Sequence, residues 1–414
     1  MNFSNAQKLY GIAAASLLAK IIVVFFFHEK VLTDEWQVLF ENFEKNLTFS
    51  YYNFGGLYVP TSYMPPLYLV FIIFCKFLSF NFINFIFVIY FFQILISTFS
   101  VFIFFNFCNK FISNKSICLI GVLIFSFFPL LVYSNALVSS ATIQTFLYLI
   151  FFNLFLDLID GKKKNTLIVS LVSSLCLLVR GEFFLIFFFS LFYLIIVNKK
   201  NIIKSFVIFL LTLVIISPYL IRNYLNTEKI HIVNVTGYAL WKGNNHLSKV
   251  EGYWHSLHPN NRLKWPQDKN FKNLFSKLDK IQKNEKYEIE RDNVFLSEGI
   301  KNIFHEKKKY FFLYLKKILS FYFIDINSSY KNYYNVFNIF SIIIVSFLSV
   351  PGFLIFYNEK KNDYKFYYIT FILIVLLMVI SFFYILPRYK ISILFIQILY
   401  FLFFLKKSIK SFLK

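Results

Sequence analysis

"GKKKNTLIVSLVSSLCLLVRGEFFLIFFFSLFYLIIVNKK", residues 161–200, holds the logic of the fold. A lysine cluster opens it, two apolar runs fill it at about 166–179 and 183–197, Arg180-Gly181-Glu182 parts the runs, and Asn198-Lys199-Lys200 closes it. Apolar helices of roughly 17–25 residues cross a ~30 Å hydrocarbon core, and the first run is short for that task. Lysines flanking such runs mark the cytoplasmic side. The stretch therefore reads as an outward span, an outer turn and a return span.

The same alternation extends along most of the 414 residues. The chain is 58% hydrophobic and 22% aromatic but only 15% charged, against about 25% in soluble domains. No ~10-residue segments of alternating polarity suggest a transmembrane barrel. The first apolar run, about 7–27, exceeds a signal peptide's core and lacks a small-residue cleavage site, so it reads as a retained anchor. The net charge of +22 is concentrated in short junctions at 108–115, 160–165, 197–204, 357–365 and 406–414, which favours membrane topology over nucleic-acid binding. Cys75, Cys108, Cys118 and Cys176 lie in or beside apolar spans without metal-ligand spacing.

With the lysine junctions inside, the expected fold is an all-α polytopic membrane protein of about 10–11 spans. Residues 1–220 form an N-terminal transmembrane core, 221–309 an outer, partly helical region, and 310–414 an interfacial helix followed by the last spans. The first outer loop covers 29–64. Two apolar runs, 65–80 and 84–107, reverse the parity if both cross, so one of them is half-inserted or short. Leu274, Leu278 and Ile281 keep helical spacing within the outer region, and 310–323 mixes Phe, Leu and Tyr with Lys316 and Lys317, as an interfacial helix does.

No P-loop, dinucleotide fingerprint, HExxH or GxSxG occurs. Polar residues instead collect at the expected outer ends of spans: Asp34, Glu35, Tyr63, Arg180, Glu182, Arg222, Arg388, Tyr389 and Lys390. Arginine forks and tyrosine hydroxyls suit a lipid phosphate, and a nearby carboxylate suits a general base. On their own, Asp34 and Glu35 read equally well as a helix-exit cap, and interfacial Tyr and Arg as anchors.

"SPYLIRNYLNTEKIHIVNVTGYALWKGNN", residues 217–245, resembles the signature of glycosyltransferase family 39 membrane enzymes, relatives of the protein O-mannosyltransferases and of the aminoarabinose transferase acting on lipid A. Arg222, Asn223, Gly237, Trp241, Gly243, Asn244 and Asn245 match the signature, and Tyr219 replaces its usual Trp. "TDEW", "MPPLY", "VRGE" and "PRYK" follow the family's order, with Met64 in place of a frequent Lys, Gly181 in place of Pro, and Ala141 in place of a frequent Glu.

The resemblance implies a GT-C fold in the inner (cytoplasmic) membrane, facing the periplasm. It also implies a polyprenyl-phosphate sugar donor and a lipid A, glycolipid, polysaccharide or protein acceptor. Asp34 is then the expected general base, with Glu35 orienting the acceptor or binding a divalent cation. Arg222, Arg388 and Lys390, with Tyr63, Tyr389 and Arg180, are expected on the donor phosphate. Trp241, Asn244 and Asn245 belong to a substrate loop. A transporter or flippase of lipid-linked saccharides is the competing reading, disfavoured by spans that are nearly unbroken Phe, Leu and Ile.

Overall fold

The computed structural model describes residues 4–80, 82–162, 166–253, 269–330 and 335–412, apart from the side chains of Asp34 and Phe412. In chain order the helices are α1 (Asn5–Phe27), α2 (Asp34–Asn46), α3 (Leu67–Leu78), α4 (Phe85–Asn109), α5 (Lys115–Ser126), α6 (Pro129–Tyr133), α7 (Ala141–Ile159), α8 (Thr166–Val179), α9 (Phe183–Val197) and α10 (Ile202–Thr227). They continue as α11 (Thr236–Gly243), α12 (Lys269–Leu278), α13 (Tyr287–His305), α14 (Lys307–Tyr322), α15 (Val336–Lys360), α16 (Tyr364–Ile380) and α17 (Ile391–Phe412). Strands β1 (Ser50–Phe54) and β2 (Leu57–Pro60) interrupt the series between α2 and α3.

The chain is a nearly all-α, multi-pass membrane protein. Among the described residues, six helices, α1, α4, α7, α10, α15 and α17, are long and apolar enough to cross a bilayer; α5 and α6, bent by 49° at their break, make a seventh if counted as one. Helices α8, α9 and α16 have 14, 15 and 17 residues. They reach only about 21–26 Å at ~1.5 Å per residue.

Ion pairs gather the lysine junctions at one end of the bundle. Lys110 and Lys162 share Asp157, Lys365 meets Asp160 at 3.2 Å, and Lys406 meets Glu359 at 2.6 Å. At the opposite end, Tyr90 donates to the Glu29 carbonyl at 2.8 Å, placing the start of α4 beside the end of α1. Here the parity conflict is resolved. Helix α3 has 12 residues, about 18 Å, and lies antiparallel to the first turns of α4: Tyr68 donates to Gln93 at 2.9 Å, while Lys76 sits 5.4 Å over the Phe85 ring. It lies alongside only the first turns of α4 and ends where α4 begins, and α4 makes the crossing.

Helices α7 and α17 form the buried centre, whereas α1 and α10 show most of their residues to the outside. Helices α15 and α17 run parallel, with Phe356 stacked on Phe403 at 4.0 Å between ring centroids. A Cβ on Gly352 would lie 1.9 Å from the Tyr400 carbonyl oxygen, so only glycine permits this approach. Gly352→Ala is expected to cost roughly 1–3 kcal/mol through overpacking. The measurement is thermal unfolding of the detergent-solubilised protein, and an unchanged midpoint contradicts the expectation.

The first outer loop, 29–64, carries secondary structure of its own. It holds the amphipathic α2 and an antiparallel hairpin with Tyr52 opposite Val59 and Phe54 opposite Leu57. Gly55 and Gly56 turn the hairpin with φ of 60° and 98°, values that other residues rarely adopt. Beyond the expected boundary at 220, α10 continues to Thr227. The outer region then packs α11 on α13 through Gly237 and Gly299, where any side chain would meet the facing helix. Asp292 of α13 accepts from the Gly237 and Tyr238 amides at 2.8 Å, placing an acid at the positive end of α11. The expected interfacial helix is α14. It exposes Phe311, Phe312 and Leu319, but its far end enters the bundle, where Tyr322 bonds Ser349 at 2.7 Å.

Candidate functional site

Helix α2 is fixed on both sides. Trp36 packs edge-on against Tyr68 of α3 at 4.7 Å, and Asn42 donates to the Ser50 carbonyl of β1 at 3.0 Å. Its first turn thus carries the acid pair to the outer end of the bundle. The backbone of Asp34 opens the helix, and its side chain lies outside the described residues. Thr33 and Glu35, on either side of it, both line a cavity of about 720 Å³. Glu35 also lines a second cavity of about 630 Å³.

The two cavities share Glu35, Met64, Pro65, Arg180 and Arg388. From this junction they diverge in character. The smaller is walled by α8, α9 and α10 with Leu177, Phe184, Phe187, Phe209, Leu213 and Ile216. Tyr63, Tyr384 and Tyr389 lie at its polar end. The larger is bordered by the end of α1 and the 133–140 turn, with Glu29, Tyr133, Ser139 and Ser140.

Arg180, at the end of α8, donates to Gln144 at 3.2 Å and lies 3.9 Å from Glu182. Arg388 and Tyr389 are presented by a tight 3-10 turn, Pro387–Lys390. Lys390 is the turn's anchor: buried, it donates to the Phe321, Tyr322 and Phe323 carbonyls that end α14, where a cation suits the helix dipole. The expectation that Lys390 holds phosphate thus gives way to a positioning role, because its ammonium is engaged with backbone and lines neither cavity.

Arg222 is likewise a clamp. It donates to the Thr61 carbonyl at 2.7 Å and the Phe49 carbonyl at 3.0 Å, joining both ends of the hairpin segment to α10. Arg222→Ala would leave those carbonyls short of a donor, costing about 1–3 kcal/mol in folding stability. The expected signature is a lower unfolding midpoint, and an unchanged midpoint contradicts the clamp role.

The residues of the expected substrate loop are framework as well. Trp241 is buried among Tyr238, Phe271 and Phe295. Asn244 donates to the Leu240 and Phe382 carbonyls at 2.8 Å and accepts from Lys317 at 3.1 Å, while Asn245 donates to the Tyr253 carbonyl at 3.2 Å. A Cβ on Gly243 would sit 2.5 Å from the Phe383 carbonyl, so this strip is pressed against the segment leading to Tyr384.

No protein-family model, curated protein or solved structure matches this chain. The likeness to family 39 therefore rests on the motif residues themselves. Among the described residues, no group of three His, Cys, Asp or Glu side chains is placed to hold a metal ion.

Sequence reading passed over Lys242 and Tyr384. Lys242 is buried, with its ammonium 4.0 Å over the Tyr384 ring. Burial, reinforced by the Arg388 charge and opposed by Glu35 and Glu251, pushes its pKa down to about 7. Burial also raises the Tyr63 and Tyr384 phenols well above their usual range, keeping both as neutral hydrogen-bond donors. Lys242 is thus cationic below about pH 7 and loses its charge above it. If that charge supports an anion at Arg388, anion affinity falls as pH rises through about 7, and Lys242→Arg moves the fall to higher pH. A superimposable pH profile for the variant removes Lys242 from this role. For stability the sign is opposite. Between about pH 7 and the unfolded pKa of ~10.4 the unfolded chain binds the extra proton, so this group favours folding more as pH rises.

Proposed function

We propose that this chain is a membrane glycosyltransferase that moves a sugar from a polyprenyl-phosphate carrier to an acceptor hydroxyl at the outer face of the cytoplasmic membrane. The observation that carries the reading is the meeting of an apolar-walled cavity and a polar one at Glu35, Arg180 and Arg388. A lipid-linked donor needs an apolar channel ending in cations, and a hydroxyl acceptor needs a polar chamber on the far side of the reacting carbon. Six long apolar helices and the bent α5–α6 pair, with the shorter α8, α9 and α16 counted as crossings too, would give ten in this reading. In this reading the junction lies at the end opposite the lysines, the outer face if the positive-inside rule holds for this chain.

In this reading the prenyl chain lies along α9 and α10, with its phosphate at Arg180 and Arg388 and hydrogen bonds from Tyr384 and Tyr389. Asp34 takes the proton of the acceptor hydroxyl while Glu35, in the shared wall, orients it. The oxygen attacks the anomeric carbon in line, the bond from that carbon to the phosphate oxygen breaks, and polyprenyl phosphate leaves with the bonding pair. Configuration inverts. The leaving phosphate is a weak base, so cations suffice to stabilise it and no general acid is needed.

Reconstitution in liposomes separates this from translocation. A transferase splits a polyprenyl-phosphate hexose supplied on the accessible leaflet; a flippase moves it intact between leaflets. Translocation without splitting, in the presence of acceptor, contradicts the proposal.

A further inference from the structure

Resting on the transferase reading, we infer that the larger cavity takes a saccharide as acceptor: the ring of a glycan or of a glycolipid headgroup, rather than a peptide side chain or an acyl chain. The lining carries the argument. Around about 720 Å³, a size suited to a small ligand, stand two carboxylates, Glu29 and Glu35, and the hydroxyls of Thr33, Ser139 and Ser140. Trp36 and Tyr133 add aromatic surface beside them. A polyhydroxylated ring presents donors and acceptors around its edge and C–H groups on its faces. Carboxylates accept from adjacent hydroxyls, serine and threonine pair with either kind of group, and aromatic rings cover apolar faces.

The other acceptor chemistries fit less well. An acyl chain needs a continuous apolar wall, which the α8–α10 cavity has and this one, with its acids and hydroxyls, lacks. A peptide held by strand addition needs an open strand edge, and neither β1 nor β2 lines the chamber.

The wall is also rigid. Glu29 accepts from the Val138 amide at 2.8 Å, and its own amide donates to the Ala136 carbonyl at 3.1 Å, so the end of α1 and the turn carrying Ser139 and Ser140 are tied together. The Ala136 and Leu137 segment is held from the other side by Gln93, which donates to the Asn135 and Leu137 carbonyls at 3.2 and 3.0 Å. A preformed polar chamber of this kind binds without first ordering its own loops.

The test is binding by saturation-transfer NMR to the full chain in a zwitterionic detergent free of sugar headgroups. The probes are glucose-, galactose- and N-acetylglucosamine-containing disaccharides, a serine- and threonine-containing hexapeptide, and a lysophospholipid. Saccharide signals are expected, reduced about tenfold or more in Glu29→Gln, as loss of a charged hydrogen bond implies. Tyr133→Ala, which removes the aromatic surface, serves if Glu29→Gln does not fold. Binding of the peptide or the lysolipid without the saccharides overturns the inference, as does saccharide binding unaffected by both variants. Donor splitting is measured separately on the same preparation. Its absence counts against the transferase reading, while the NMR result decides the acceptor.

Discussion

Asp34→Asn is expected to lower kcat for sugar transfer by about 10²–10⁴-fold, the usual contribution of a general base, with donor KM nearly unchanged. The substitution keeps size and hydrogen-bonding shape and removes only the capacity to take a proton. Donor binding survives because the cations belong to other elements: Arg180 to the end of α8 and Arg388 to the turn before α17. Glu35→Gln is expected to act mainly on acceptor KM, since Glu35 lines both the proposed donor cavity and the proposed acceptor cavity. Full turnover in folded Asp34→Asn protein assigns the proton to another group, with Glu35 the first to examine.

Arg388→Ala is expected to cost about 1.5–3 kcal/mol in donor kcat/KM, a ten- to 150-fold loss, and Arg180→Ala a similar amount. Much of that loss should appear in kcat, because negative charge on the phosphate grows as the bond to the anomeric carbon breaks. Lysine at either position restores little, since the planar fork that can grip two phosphate oxygens is gone. Arg388 also neighbours Lys242, Tyr384 and Tyr389, so its removal disturbs the whole cation-phenol cluster. Donor kinetics left intact by both alanine variants would move the phosphate away from the cavity junction.

The membrane class and the end of the bundle that gathers the lysines are legible in the sequence, because solvation alone dictates both. Long apolar runs have nowhere else to go, and lysine junctions select a side. Parity at 65–80 is not legible, since a half-inserted helix and a short span have the same composition. The pairing of Tyr68 with Gln93 and of Lys76 with Phe85 decides it. The hairpin does leave a signal, Gly55-Gly56 flanked by aromatic runs, but membrane-scale patterns overshadow it.

Among the site residues, Glu35, Tyr63, Arg180, Arg388 and Tyr389 converge on one cavity as their placement at outer span ends suggests. Arg222 and Lys390 do not. Sequence identifies them as outer-face cations, but whether a cation faces a cavity or a backbone carbonyl depends on loops that fold back from far along the chain. Lys242 is hidden for the converse reason. Within "ALWKGNN" it looks like a solvated lysine, and only the tertiary fold buries it over Tyr384.

The most direct test of the central claim is release of polyprenyl phosphate from a polyprenyl-phosphate hexose by the purified chain, with a saccharide acceptor present. The account predicts free polyprenyl phosphate in equal amount to a glycosylated product of inverted anomeric configuration, with both lost together in Asp34→Asn. An intact donor after prolonged incubation of folded wild-type protein with a panel of polyprenyl-phosphate hexoses, pentoses and aminosugars contradicts it.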